Sequence, residues 1–459
     1  MSATSNPQSA RAGGGAWGRF PAVTVLLVLG ALLANVIILI AVSQYGMIML
    51  FAPVLALALA LAALRLLDDP VDVLSWFLVI IVNLDFFRIP HTRLTADILT
   101  SSLLLYAVLV RLGLSGTLVF RGKVEKMYVA YLAVTFISVV LSVDVPASIK
   151  NWGRDLEYLF LFILLSTLSF TDHDRLRIAK ATALSAIIPC LLGLAGMIFG
   201  IDAFYGQVTP VAGGQAVMRI TSTLSHPVTL SEYLSFISTI TLSLVILAKR
   251  WRAVLVPVFM LELVVLYLTF GRTGWIEFLI AVIALFWMTG RRKIVFVVLP
   301  VMAAGLLAMV PALLARMQNA FQMGDNSMIW RLGLWAFALK KFPQRPIFGS
   351  GQDTFIDYVH YGIGFAPHQT WMGLLIEVGI VGTFMFVLLL ITVGRALKLR
   401  RQEPGATQDP LVMGVSAGFV GLLVGSFAGD PWNLPVVSVY FWVLLALALK
   451  PQSPAHVPA

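Results

Sequence analysis

Cysteine is almost absent from this chain: one residue, Cys190, in 459. It falls inside an apolar run, which excludes a disulfide framework and a cysteine-based metal site. Charge is scarce too. Asp, Glu, Lys and Arg make up 12% of the residues, with 22 acidic against 32 basic. The acidic residues expected on one face (Asp85, Asp144, Asp155, Asp202, Asp325, Asp353, Asp357 and Asp430) form no dense cluster in the sequence. No H-E-x-x-H helix, phosphate-binding Walker loop or serine nucleophile elbow occurs. The sequence therefore points to no metal and no cofactor. The net charge of +10 is spread over short loops without a basic stripe of interleaved aromatics, so no nucleic-acid partner is expected.

What the chain has in abundance is apolar length. Hydrophobic residues are 59% of it. Runs long enough to cross a bilayer core as helices lie near 22–43, 47–65, 71–87, 95–114, 127–142, 156–171, 179–200, 228–248, 252–270, 273–290, 294–313, 370–394, 411–428 and 434–449, about fourteen in all. Backbone in lipid must satisfy its own hydrogen bonds, so each run is expected to be helical. The implied fold is all-α: a polytopic transmembrane helix bundle with one large extracytoplasmic loop containing short helices.

Sidedness follows from Lys and Arg. With the N-terminus in the cytoplasm, that side receives roughly two thirds of the 32 basic residues, the positive-inside pattern. Residues 1–20 then read as a disordered cytoplasmic N-terminus and 21–450 as a single transmembrane domain. The first run reads as an uncleaved anchor, and 451–459 as a cytoplasmic tail. The large loop, 316–368, faces outward. It carries Arg331, Lys340, Lys341, Arg345, a Gly349-Ser350-Gly351 turn, His360 and, where the chain re-enters the apolar phase, His368.

Four places carry polar chemistry at outer ends of spans. Arg154, in Asn151–Tyr158, is either an interfacial anchor paired with Asp155 or Glu157, or a contact for an anion. Arg219 and His226 are separated by small hydroxyl residues ahead of Pro227, which suits a helix start; His226 is either a plain loop residue or part of an aqueous vestibule. Leu268–Trp275 is a tight link whose Gly271 and Gly274 permit unusual backbone angles. It places Arg272 at a helix start on the face where a free Arg is unexpected. Either it snorkels to lipid headgroups or it grips a phosphate. In the large loop, Met328–Phe342 reads as a helix with Trp330, Leu334, Trp335 and Ala338 or Leu339 on one side, and His368 is placed to act as a general base.

The order Arg331…Trp335…Pro346-Ile-Phe-Gly349-Ser-Gly351…Phe355…His368-Gln369…Glu377-Val-Gly379-Ile-Val-Gly382 resembles the C-terminal signature of the O-antigen ligase and O-antigen/exopolysaccharide polymerase superfamily. Gly271-Arg272-Thr273-Gly274 is similar to that family's short Ser-Arg-Gly-type link, and Arg219 to Tyr233 to its Arg…Pro…Tyr-Leu stretch. The resemblance is clearest over roughly 210–385 and departs at Gln369, where the family often has Asn. It implies a GT-C-like glycosyltransferase of the bacterial inner membrane, acting on the outer face. The donor would be a glycan on undecaprenyl diphosphate. Arg272 and Arg219 would hold the diphosphate, and His368 would serve as base or positioning residue. Arg331, Arg154, His226, Gln369, Gly349 and Gly351 are the further substrate-contact candidates, with Trp335, Tyr358, Tyr361 and Trp371 as aromatic surfaces for sugar. A chain-length regulator and a flippase of the same pathway are implied partners.

Polymerisation of lipid-linked repeats is the first functional expectation and ligation of a finished glycan to lipid A core, protein or another acceptor the second. A non-enzymatic transporter or flippase is the third; it would place ionisable groups and broken helices near mid-membrane.

Overall fold

A computed structural model describes residues 70–84, 122–201, 205–210, 216–224, 226–296, 327–360 and 366–450. The expected spans at 22–43, 47–65 and 95–114, nearly all of 294–313, and the loop segments 316–326 and 361–365 (Tyr361 among them) lie outside these residues. The described chain is mostly helical. In order it runs α1 (Pro70–Leu84), α2 (Lys123–Val140), α3 (Val145–Thr167), α4 (Asp172–Ser185), α5 (Ile187–Phe199), β1 (Tyr205–Pro210), β2 (Ala216–Ile220), α6 (Pro227–Leu247), α7 (Arg252–Leu268), α8 (Arg272–Met288), α9 (Ser327–Lys341), α10 (Phe355–Val359), α11 (Thr370–Glu377), α12 (Gly379–Gln402), α13 (Pro410–Gly425) and α14 (Pro435–Ala448).

Four stretches among the described residues are long and apolar enough to cross a bilayer: Asp172–Phe199, Pro227–Leu247, Lys249–Leu268 and Gly379–Gln402. Helices α13 and α14 are apolar but shorter. Outward-facing Val254, Met260 and Val264 of α7 and Phe384, Ile391 and Leu399 of α12 are exposed. In water such faces would be a liability; in lipid they are the natural boundary. The chain is an integral membrane protein.

Two expectations are corrected. The run 370–394 is not one helix: α11 ends at Glu377 and α12 begins at Gly379, whose φ of +67° breaks the ladder. The chain is also not purely α-helical, because β1 and β2 form an antiparallel hairpin just before α6.

Helix α6 is the central strut. Its side chains are almost all buried, and Ser231, Ser235, Thr239, Thr241 and Ser243 turn their hydroxyls back onto carbonyls three or four residues earlier. Gly414, Gly418, Gly421 and Gly425 of α13 lie against α6 and α8, with a Cβ at Gly418 falling 2.6 Å from the Phe236 ring and one at Gly421 2.7 Å from the Glu277 carbonyl. Apolar solvent gives helices no hydrophobic reason to associate, so close approach through small residues supplies the contact.

At the opposite end from the β-hairpin, Asp409 caps α13 by accepting from Leu411 and Val412 N–H. The same carboxylate meets Arg175 Nη2 at 2.7 Å and Arg400 Nη2 at 3.8 Å. Arg175 also donates to the Leu447 carbonyl and Arg400 to those of Ala448 and Lys450, at the end of α14. All three charges are buried. Removing one member strands the others, a loss of about 3–5 kcal/mol for a buried pair. Asp409→Ala should therefore lower the thermal unfolding temperature of the purified protein sharply, whereas Glu403→Ala, at the exposed edge, should barely move it. Equal, small shifts would show the cluster to be dispensable.

Candidate functional site

Three helices begin at one place. Pro at the first helical position starts α6 after His226, whose Nδ1 accepts from Val228 N–H at 3.2 Å. Helix α8 starts at Arg272 after Gly271, and α11 starts at Thr370 after Gln369, whose side chain accepts from Met372 N–H. Gly429, in the α13–α14 link, ties them. A Cβ there would fall 2.3 Å from Glu232 Oε1 of α6 and 2.8 Å from Thr273 Cγ2 of α8, and its carbonyl accepts from Thr370 N–H at 3.0 Å. Each helix start carries partial positive charge from unpaired N–H groups, so the three add.

The glycines of the α7–α8 link serve a different end from the one expected. Gly271 has an ordinary extended backbone, φ −84°. The left-handed residue is Phe270, φ +51°. Gly271 and Gly274 are there because a Cβ would strike Ser231 at 2.2 and 2.5 Å; they let α8 press against α6.

Around this junction the structure gathers six of the predicted site residues: Gln369, as the cap of α11, with Arg219, His226, Arg272, Arg331 and His368. Arg219 of β2 donates from Nε to the Thr269 carbonyl at 2.7 Å, which bonds the hairpin to the carbonyl end of α7. Arg331 of α9 is half-buried. Its burial lowers its proton affinity, the neighbouring Arg272 lowers it further, and Glu232 works the other way. Burial and then Arg219 push the His226 imidazole below its usual range. His368 is pushed down to about 4, first by burial and then by Arg331 and His226. Its imidazole is therefore neutral at physiological pH and able to accept a proton. His368 also has φ +49°, a left-handed conformation that costs a non-glycine residue about 1–3 kcal/mol and that surrounding structure must impose. The imposition is visible: Trp335 Nε1 donates to the Pro367 carbonyl at 3.0 Å on one side, and Thr370 is held by the Ser426 and Gly429 carbonyls on the other. Trp335 stands one turn after Arg331, so the bond that pins the loop also seats the arginine.

Three predicted residues go elsewhere. Arg154 donates to Asn433 Oδ1 at 3.3 Å and lies beside Asp155, Asp353 and Asp430, a setting balanced by carboxylates. Gly349 and Gly351, with φ of +72° and +109°, are buried seats for backbone: a Cβ on Gly349 would fall 2.4 Å from the Glu377 carbonyl, and one on Gly351 2.1 Å from Ser142 Oγ. Their N–H groups donate to Arg345 and Glu377 carbonyls, so the turn braces the α11–α12 break. Of the proposed sugar-facing aromatics, Trp335 and Tyr358 donate to main-chain carbonyls, and Trp371 packs against Phe386 and Phe427.

On the other side of residues 366–370 lies a cavity of about 110 Å³. Its wall includes Asp155, Gln352, Glu377, Asp430, Trp432 and Asn433. Burial pushes Asp155 and Asp430 up to about 6 and Glu377, ahead of the spanning helix α12, up to about 8. Glu232, Gln352, Gly429 and Asp430 carry little signal in the linear pattern. Glu232 was visible only as a carboxylate inside an apolar run, a signal that ordinarily marks function.

Residues 255–387, under a third of the chain, match the family model described as O-antigen ligase. The matched segment contains Arg272, Arg331 and His368, and it supports membership of the O-antigen ligase/polymerase superfamily. No curated protein matches the chain.

Replacing Gly429 by Val should drive Glu232 and Thr273 apart and displace the start of α11, while leaving the helix bundle folded. Amide hydrogen exchange at Gln369–Met372 should rise well above that at α13 and α14; uniform exchange across all three would refute the role of Gly429 as the tie.

Proposed function

We propose that this membrane protein of O-antigen ligase type transfers a glycan from an undecaprenyl-diphosphate-linked donor to a sugar hydroxyl on the outer face of the membrane. What carries the reading is the neutral His368 set among Arg219, Arg272 and Arg331 at three helix starts. Arginines suit a diphosphate because their planar donor forks match phosphate oxygens. A neutral imidazole beside them suits an acceptor hydroxyl.

In the transfer, the acceptor oxygen attacks the anomeric carbon of the donor sugar and its proton passes to His368. The bond from that carbon to the diphosphate oxygen breaks, and the diphosphate leaves with the electron pair. Negative charge then grows on the leaving group where fixed cations already stand, which stabilises the transition state more than the ground state. Polymerisation, in which the acceptor is another lipid-linked repeat unit, is favoured by the many apolar runs of the sequence; ligation to another acceptor would use the same donor side.

Arg272→Ala should reduce turnover about 10²–10³-fold, the range for losing one preorganised charge donor, without altering membrane insertion. Polymer of normal amount and length would remove Arg272 from the diphosphate. His368→Ala should lower kcat more than it raises KM; weaker binding at unchanged turnover would make it a positioning residue. The pH profile offers a separate check. The folded-state affinity of His368 for protons lies below that of a free imidazole, so the neutral base persists until pH approaches about 4. The acid limb of kcat/KM, which reports the free enzyme, should fall there. A limb near the ordinary histidine value would place the base elsewhere.

A further inference from the structure

The cavity behind residues 366–370 is lined for a ligand that the diphosphate site cannot take. Its polar wall is rich in carboxyl groups, Asp155, Asp430 and Glu377, beside the Gln352 amide. Gln352 is 4% exposed. Its Nε2 donates to Asp155 Oδ2 at 3.0 Å, and its Oε1 has no hydrogen-bond partner among the described residues. A buried acceptor without a donor is a standing cost in the folded protein. Trp432 adds a flat apolar wall, and Asn433 an amide. Among the described residues, no three carboxylate, histidine or cysteine groups come together closely enough to hold a metal ion.

Position matters as much as chemistry. Pro367 and Thr370 form part of the cavity wall, and His368 lies between them in the chain, facing Arg331 and His226. Thr370 Oγ1 donates to Asp430 Oδ1 at 2.9 Å, so the cavity wall and the mount of the imidazole are bonded together. A molecule seated here lies against the segment that carries His368.

We propose that this cavity is the acceptor-sugar subsite, and that it takes a neutral or amino-bearing sugar in preference to a uronic acid. The proposal rests on the glycan-transfer reading for its place in a reaction, but its binding claim stands separately. Sugar hydroxyls donate to the carboxylates and to Gln352 Oε1, and the C–H face of the ring lies against Trp432. A uronic acid would set its own carboxylate against Asp155 and Asp430 and be repelled.

The test is direct binding to the full chain in nanodiscs. The probes are a panel of lipid-free trisaccharides, in matched neutral, amino and uronic-acid forms, and undecaprenyl diphosphate. At least one neutral or amino member should bind at least tenfold more tightly than its uronic counterpart. This comparison uses the unaltered protein and needs no variant to fold. Gln352→Leu should then weaken that binding at least tenfold and leave undecaprenyl diphosphate binding unchanged. Absence of binding by every member, equal or tighter binding of the uronic form, or indifference to Gln352→Leu would each overturn the proposal. Undecaprenyl diphosphate binding that ignores Arg272→Ala would instead overturn the donor reading, and the trisaccharide result would still decide the cavity.

Discussion

The site depends on a steric permission at Gly429. Helices α6, α8 and α11 can begin side by side only because no side chain stands where Glu232 and Thr273 press against that residue. Bringing three positive helix ends together in a poorly solvated place, and adding arginines, is electrostatically unfavourable by itself. Glu232 lies buried near Arg331 at this junction. The result is a standing excess of positive potential that a doubly charged phosphate group can relieve. Burial, and then Arg331 and His226, disfavour a charge on His368, so a neutral imidazole stands beside the arginines that the proposed reaction would use for its leaving group.

Much of the fold was legible. Apolar runs of the right length located α6 and α7 closely, and Pro227 marked the start of α6 as expected. Where the reading failed, local geometry outweighed hydropathy. The 370–394 run is apolar throughout, yet it breaks because Gly379 must let the Ile347 carbonyl approach, a contact made by residues some thirty positions earlier. The β-hairpin escaped because its strands are short and only weakly alternating. Hydropathy likewise cannot reveal that Arg175 and Arg400 are buried on Asp409.

The site was legible where a charge broke an apolar pattern. Arg219, His226, Arg272 and His368 stood out at the ends of runs and Arg331 within the large loop, and the fold brings them together. Arg154 stood out for the same reason and belongs to a different, acidic neighbourhood, because sequence shows that a charge is present without showing what surrounds it. Gly349 and Gly351 were conspicuous for a backbone reason and were read as a chemical one. Gln352 and Asp430 were unremarkable loop residues, since nothing in a linear pattern marks an amide whose oxygen will be buried without a donor.

Helix α9 has an unusual relation to this machinery. It brings Arg331 to the junction and, through Trp335, holds the loop that carries His368. Cation and imidazole are thus fastened to one lever. Were that lever displaced, Arg331 would leave the junction and the left-handed turn at His368 would lose its clasp in the same stroke. A change at α9 would therefore be felt by both side chains at once.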